Sequence, residues 1–310
     1  MRVVIIGGTG LIGRALAASL AADKHEVFVL SRNPQYARSM PAGVKVEEWD
    51  GRTSAGWSQF VDGADAVVNL AGASIGGENT FAILFRRWTN SNKKRILESR
   101  LSAGRAVMQA IEAAAHKPKL LIQASAIGYY GVLNSGPTTE ESPRGYDFQA
   151  RVCWDWEAST SQAEVLGVRR VVIRSGLVMS RKAAILSMVM LPFRFFAGGR
   201  LGSGKQWFPW IHVDDEVGAI RFLIDKPDAR GAYNLAAPGA ITNGQLAKLL
   251  GRVMRRPSVF PVPGFALRLL LGEKATLVLD GVQIAPRRLI EAGFTFKFPE
   301  AEPAFHDALK

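Results

Sequence analysis

Val3-Val4-Ile5-Ile6-Gly7-Gly8-Thr9-Gly10-Leu11-Ile12-Gly13 lies at the start of the chain and decides its fold. Four consecutive β-branched apolar residues read as a strand buried on both faces. Gly8, Gly10 and Gly13 fit the spacing G-x-G-x-x-G, and Leu11 to Ala22 then carries apolar residues at helical spacing. Alone the glycine pattern is weak; a strand before it and a helix after it make it a dinucleotide-binding turn. The tight turn needs a residue tolerant of positive φ. A side chain at Gly10 would block a pyrophosphate, and Gly13 lets the helix lie close to the strand. The free N–H groups and positive dipole end of the helix then offer an anion site. Contacts are therefore expected from Gly7, Gly8, Thr9, Gly10, Leu11, Ile12 and Gly13.

Outward from this turn the chain alternates. Strands are expected over 26–30, 44–49, 64–70, 119–124 and 169–174, and helices over 95–115 and 152–165. Such alternation implies parallel βαβ units, an α/β class and a Rossmann doubly wound parallel sheet. After about Ser175 the rhythm loosens, with Pro and Gly denser over 192–209 and 257–264. The expected organisation is a Rossmann domain over 1–178, to which 211–235 returns. A smaller C-terminal substrate lobe takes 179–210 and 236–310. A crevice outside the carboxyl ends of the strands is where such sheets bind ligands.

The end of the second strand sets cofactor choice. Where NAD-binding proteins place an acid for the ribose 2′-OH, this chain has Ser31-Arg32. A guanidinium there suits the extra phosphate of NADP(H). Asp50 is either an acceptor for the adenine amino group or a cap for the turn at Gly51.

The remaining composition narrows the classes. The chain has 310 residues, 48% of them hydrophobic, enough for a real core. Cys153 is the lone cysteine, which fits a reducing cytoplasm. No apolar run reaches the ~18 residues of a membrane span, and no membrane partner is expected. The net charge of +12 would suit nucleic acid. The charges read as scattered, however, no nucleic-acid module is recognised, and an anionic dinucleotide also favours a positive field; no nucleic-acid partner is expected. The four histidines are far apart, so no metal site is expected.

Several further motifs carry a resemblance: Asn69-Leu70-Ala71-Gly72, Arg86-Arg87-Trp88, Glu98-Ser99-Arg100, Gly128-Tyr129-Tyr130-Gly131, Asp147-Phe148, Trp156-Glu157, Arg174-Ser175-Gly176, Phe208-Pro209-Trp210-Ile211-His212-Val213-Asp214-Asp215 and Asn234-Leu235-Ala236-Ala237-Pro238. Together with the glycine turn and Ser31-Arg32 they resemble the extended short-chain dehydrogenase/reductase superfamily over essentially the whole chain. More narrowly they resemble its atypical epimerase branch, of nucleoside-diphosphate-sugar epimerase type. The stretch from Pro261 to Leu309 looks like that branch's small C-terminal domain. The resemblance implies NADP(H) held across Gly7 to Gly13, Ser31-Arg32 and Leu70-Ala71-Gly72, with contacts from Arg95, Arg100 and Val178. It implies a small-molecule substrate, a nucleotide-sugar among the candidates, and a monomer or a homodimer through helices 95–115 and 152–165.

The same resemblance exposes a departure. Short-chain dehydrogenases use Ser, Tyr and Lys, the last two spaced Tyr-x-x-x-Lys. Counting back from Glu157 puts Cys153 at the Lys position and Gln149 at the Tyr position; the Ser position, four before Tyr130, is Ala126. A proton-transfer group needs a pKa suited to the task, which none of these supplies. Ser125, Tyr129 and Tyr130, at the carboxyl end of the fifth strand, are the substitute candidates, with aromatic packing the plain alternative for the tyrosines. Ser125 faces the other way along the strand from Ala126. His212 is expected to start a helix with Asp214 or Asp215 as cap, and Trp207, Phe208 and Trp210 to line a cleft or the core. Two functions follow: an NADP-dependent oxidoreductase or epimerase with a non-standard site, or a non-catalytic protein that senses NADP(H).

Overall fold

The structure, a computed structural model, describes residues 1–34, 40–75, 87–132 and 136–309. Seven parallel strands form its centre: β1 (Arg2–Ile6), β2 (Glu26–Ser31), β3 (Val44–Glu48), β4 (Ala66–Asn69), β5 (Leu120–Ala126), β6 (Arg169–Ser175) and β10 (Gly231–Leu235). Their spatial order is β3-β2-β1-β4-β5-β6-β10. Every neighbouring pair runs parallel. The direction of winding reverses at β1–β4, where doubly wound sheets open a ligand crevice.

Alternation along each strand builds a core on both faces. Val3 and Ile5 pack with Val27, Val29 and residues of α1 (Leu11–Ala22) and α5 (Val213–Asp225). Val4 and Ile6 face the opposite way with Phe28, Leu30 and the inner face of α2 (Asn90–Ala113). All four β1 residues are fully buried, each adding roughly 1.5–3 kcal/mol relative to exposure. A strand so placed has no polar side, hence the unbroken apolar run.

Boundaries shift where capping wins over periodicity. Helix α2 starts at Asn90 because the Thr89 side chain accepts from Asn92 N. Helix α3 covers Phe148–Ala158, not 152–165, because Asp147 accepts from Ala150 N and caps the helix earlier. Strand β5 runs on to Ala126, so Ser125 lies within the sheet.

Most of the rest forms a lobe over the carboxyl ends of the strands. Helices α4 (Ala184–Arg194), α6 (Asn243–Met254) and α10 (Ala301–Leu309) contribute a core of their own, including Leu186, Phe193, Leu246, Leu250 and Phe305. Short helices α7 (Gly264–Leu271) and α8 (Thr276–Leu279) follow α6, whereas α9 (Arg287–Glu291) returns to the sheet, where Leu289 joins the core beside β10 and Arg288 donates to Ala232 O and Arg230 O. β8 (Trp207–Phe208) pairs antiparallel with β11 (Ile241–Thr242).

Three of the chain's passages between sheet and lobe are bonded together. β7 (Leu177–Met179) pairs parallel with β9 (Trp210–His212). Gly176 N donates to Leu235 O (2.8 Å), Leu177 N to Pro209 O (2.8 Å) and Ala237 N to Trp210 O (2.7 Å). A Cβ on Gly176 would come within 2.9 Å of Pro209 O.

His212 caps α5 itself, its Nδ1 accepting from Asp214 N at 3.2 Å. Asp214 and Asp215 were the expected caps; Asp215 instead accepts from Lys297 N and Phe298 N, bracing the C-terminal segment. Burial holds His212 below its ordinary pKa, as suits a neutral acceptor at the positive end of a helix.

Candidate functional site

The glycine turn is an open anion cradle. Gly7 takes φ +77°, and Gly10 N donates to Gly7 O at 3.1 Å. Gly10 caps α1 with no side-chain hydrogen bond, leaving the first N–H groups unscreened. The other glycines serve packing. A Cβ on Gly8 would stand 2.7 Å from a Val29 methyl, and one on Gly13 2.5 Å from Gly8 Cα. A Cβ on Gly10 would meet only Gly7 O, at 3.3 Å, and otherwise point into open space. Thr9 Oγ1 lies 3.3 Å from Ser31 Oγ, tying the turn to the end of β2. Leu11 and Ile12 are half-buried at the start of the helix.

Arg32 is exposed beyond β2, and its stem rests on Gly51, where a Cβ would come within 2.8 Å of Arg32 Cδ. Its guanidinium has no partner among the described residues. The Asp50 carboxylate accepts from Arg52 N (2.7 Å), Thr53 N (2.8 Å) and Thr53 Oγ1 (2.8 Å), capping its turn. Leu70, Ala71 and Gly72 follow β4 beside the turn, Ala71 being 3.0 Å from where a Gly7 Cβ would stand. Arg100 is buried, not solvated. It donates to Ala73 O (3.0 Å) and Ile96 O (2.9 Å), stacks 4.6 Å from the Trp156 ring and supports Gly72 from beneath. Burial lowers its pKa to about 10. Arg95 is half-buried on the same helix, and Val178 pairs with Ile211 in the passage to the lobe. Arg86 lies outside the described residues.

At the ends of β5 and β6 the sheet register sorts the side chains. Ser125 stands opposite Arg174, and Ala126 opposite Ser175. The first pair enters a buried network. Ser125 Oγ donates to Glu157 Oε1 (2.6 Å), and Arg174 grips both Glu157 oxygens from Nε and Nη2 (2.9 Å each). Arg174 Nη1 donates to Tyr130 Oη (3.0 Å), which donates to Asn234 Oδ1 (2.6 Å). The Arg174 guanidinium carbon lies 3.4 Å from the Tyr129 ring centroid. Burial pushes the Tyr130 hydroxyl up to about 12. Ser125, Tyr129 and Tyr130 thus hold the strand ends together and do not line the cavity described next.

That cavity, of about 610 Å³, lies between the carboxyl ends of β5 and β6 and the lobe. Ala126, Ile127, Gly128, Gln149, Ser175 and Leu177 form its floor, and Ile185, Met188, Trp207, Phe208, Leu271 and Leu277 are among its apolar walls. Trp210 is buried elsewhere, donating to Gly239 O. Two of the three replaced triad positions, Ala126 and Gln149, face the cavity, while Cys153 is buried and its thiol pushed up to about 12 by burial. The acids of the wall are Asp147, Glu273 and Asp280; Lys274 is its cation among the described residues. Behind Ser175 stands Glu216, fully buried, accepting from Ser175 Oγ at 2.5 Å; its Oε2 has no partner among the described residues. Burial pushes this carboxyl up to about 8. Sequence reasoning passed over both Glu216 and Lys274.

Among the described residues no group of acids, histidines and cysteine is placed to hold a metal ion, and no helix is long and apolar enough to cross a membrane.

Known proteins agree with this architecture. An Arabidopsis thaliana protein described as epimerase family protein SDR39U1 homolog, chloroplastic, is 40% identical over 98% of this chain and 85% of its own. Epimerase family protein SH2119 of Staphylococcus haemolyticus is 36% identical over 99% of this chain and 98% of its own. A crystal structure of the human epimerase family protein SDR39U1 (isoform 2) with NADPH superposes with a TM-score of 0.87 at 33% identity, covering 100% of this chain and 99% of that one. Residues 262–308 match a domain of unknown function, DUF1731. Residues 3–236 match the profile of the NAD dependent epimerase/dehydratase family, and the chain belongs to that family.

Proposed function

We propose that the chain is an NADP(H)-dependent oxidoreductase or epimerase whose cavity takes a largely apolar small molecule through a polar head, with proton-transfer groups other than the usual triad. The carrying observation is the cavity floor at β5 and β6, one strand-end away from an open glycine turn flanked by Arg32. Gly7 to Gly13 would hold the diphosphate, and Arg32 the 2′-phosphate, as a charge-assisted partner. The human relative solved with NADPH supports this assignment. The bound dinucleotide would supply hydride chemistry; of the polar groups of the floor, Gln149 stands at the vacated Tyr position and Ser175 pairs in register with Ala126 at the vacated Ser position. The cavity wall argues against a nucleotide-sugar. Among the described residues, three carboxylates and one ammonium are a poor lining for a diphosphate, whereas the apolar walls suit a hydrocarbon body. A cytoplasmic setting fits the reduced, buried Cys153.

Absorbance of reduced nicotinamide, followed with apolar aldehydes, ketones and sugar nucleotides, tests the reading. Turnover of the apolar carbonyls and not of sugar nucleotides is expected. Turnover of sugar nucleotides alone overturns the substrate assignment. Ala126, Gln149 and Cys153 at the triad positions favour a second reading, a non-catalytic NADP(H) sensor. Tight NADPH binding with no turnover of any compound selects it.

A further inference from the structure

We propose that the C-terminal lobe docks peripherally on an anionic lipid bilayer, through a face made of exposed aromatic and aliphatic side chains set among arginines. The chain's charge is not scattered once it is counted by segment. Residues 180–213 hold five Lys or Arg, residues 229–272 hold six, and neither stretch contains an Asp or Glu. The rest of the chain holds 28 Lys or Arg against 27 Asp or Glu.

The same segments carry the largest exposed hydrophobic side chains of the lobe. Phe195 is 75% exposed, Phe265 74% and Leu269 77%; Phe196, Phe260 and Leu270 are about half exposed or more. These positions lie on neighbouring segments. Phe260 N donates to Gly198 O (3.1 Å), Val262 N to Arg200 O (2.9 Å) and Gly202 N to Val262 O (2.8 Å), so 198–202 and 260–262 run side by side. The Arg256 guanidinium covers the Phe196 ring at 4.1 Å. Helix α7 begins two residues after Val262 and shows Phe265 and Leu269 one turn apart on its outer side. Arg194, Arg200, Arg255, Arg256 and Arg268 are exposed around them.

A folded chain gains nothing from projecting such side chains into water, and exposed apolar side chains rimmed by polar ones mark an interaction surface. Charge decides the occupant. A second copy of this chain would bring the same arginine-rich segments against themselves. A bilayer rich in anionic headgroups offers the complementary charge together with an acyl boundary for Phe and Leu. No membrane partner was expected because no segment spans; a face that lies on the surface needs no span. Leu271 leads from this face into the cavity wall, which would open the apolar cavity beside the bilayer.

Sedimentation with vesicles of phosphatidylglycerol and phosphatidylcholine, against phosphatidylcholine alone, tests the proposal on the full chain. Binding to the anionic vesicles alone is expected, weakening about tenfold between about 0.1 M and 0.5 M NaCl as screening shortens. The pair Phe265→Ser and Leu269→Ser should lower the partition about tenfold at either salt, and Arg255→Glu with Arg256→Glu should abolish the salt-sensitive part. NADPH titration and a thermal melt verify that both variants are folded; should one not fold, the other decides. Three results overturn the proposal: no sedimentation with anionic vesicles, equal sedimentation with neutral ones, or a stable dimer by light scattering that the Phe265→Ser and Leu269→Ser pair dissociates.

Discussion

Glu216→Gln should change how stability depends on pH. The Glu216 carboxyl is fully buried against Ser175, and burial raises its pKa from 4.5 to about 8. In the unfolded chain it ionises near 4.5. A group whose pKa is higher in the folded state holds its full stabilising effect below the unfolded value and loses it as pH rises through the folded one. The interval is thus pH 4.5 to 8, and each pH unit within it is worth about 1.4 kcal/mol. The loss from this one group reaches about 3 kcal/mol at pH 7 and about 5 kcal/mol above pH 8. Gln keeps an acceptor for the Ser175 hydroxyl but does not titrate. Its amide N–H₂ falls where Oε2 already lacks a partner, a fixed cost of about 1–3 kcal/mol. Urea midpoints at pH 4.5, 7.0 and 8.5, at unchanged m-value, should show wild type the more stable at pH 4.5 and the variant the more stable at pH 8.5. Parallel curves across that range would refute a neutral buried carboxyl behind the cavity floor.

Other expectations follow from the same geometry. Arg32→Asp should weaken NADPH at least about thirtyfold while leaving NADH little changed, because a charge-assisted bond is lost and a repulsion gained; equal losses by calorimetry would remove Arg32 from the 2′-phosphate. Gly10→Val should leave the melting temperature nearly unaltered, since its side chain enters open space, yet reduce NADPH affinity tenfold or more on the order expected for a blocked phosphate site. Gly13→Val, driven into the Gly8 backbone, should cost about 2–4 kcal/mol of stability; a stable Gly13→Val protein would contradict the helix–strand contact. Arg174→Met strands the Glu157 carboxylate, whose side chain is 13% exposed, and should destabilise by about 3–5 kcal/mol; adding Glu157→Gln should recover part of that in urea titration.

How much of this is legible in the sequence depends on whether the deciding interaction is local. The unbroken apolar run of β1, the glycine turn and the Ser31-Arg32 pair declare themselves, because strand burial and phosphate approach act on neighbouring residues. The side switch between Ser125 and Ala126 is also local, being strand alternation. Its consequence is not: Glu157 and Arg174, which claim Ser125 and the two tyrosines, come from other elements and meet only across the sheet. Arg100 sits in a run of basic residues that suggests a solvated face, but Ile96, Arg100, Ala103 and Val107 fall on the buried side of α2. Glu216 hides in Asp214-Asp215-Glu216, the acid cluster normal for a helix start. The signal was present in the spacing of 216, 220 and 223, all buried, yet which side meets the sheet is a tertiary fact. Lys274 lies inside a single 3-10 turn, Gly272–Ala275, whose Gly-Glu-Lys reads as loop.

The three laced passages between sheet and lobe make a stiff neck in place of a hinge. A flap joined by one linker opens by rotating a few dihedrals. Here any rotation must break the bonds from Gly176, Leu177 and Ala237 together, so the cavity roof rides rigidly with the strand ends. Ligand traffic then falls to the rim, to side chains such as Trp207 and Leu271, and a chain nicked between α4 and β8 should keep its two pieces associated.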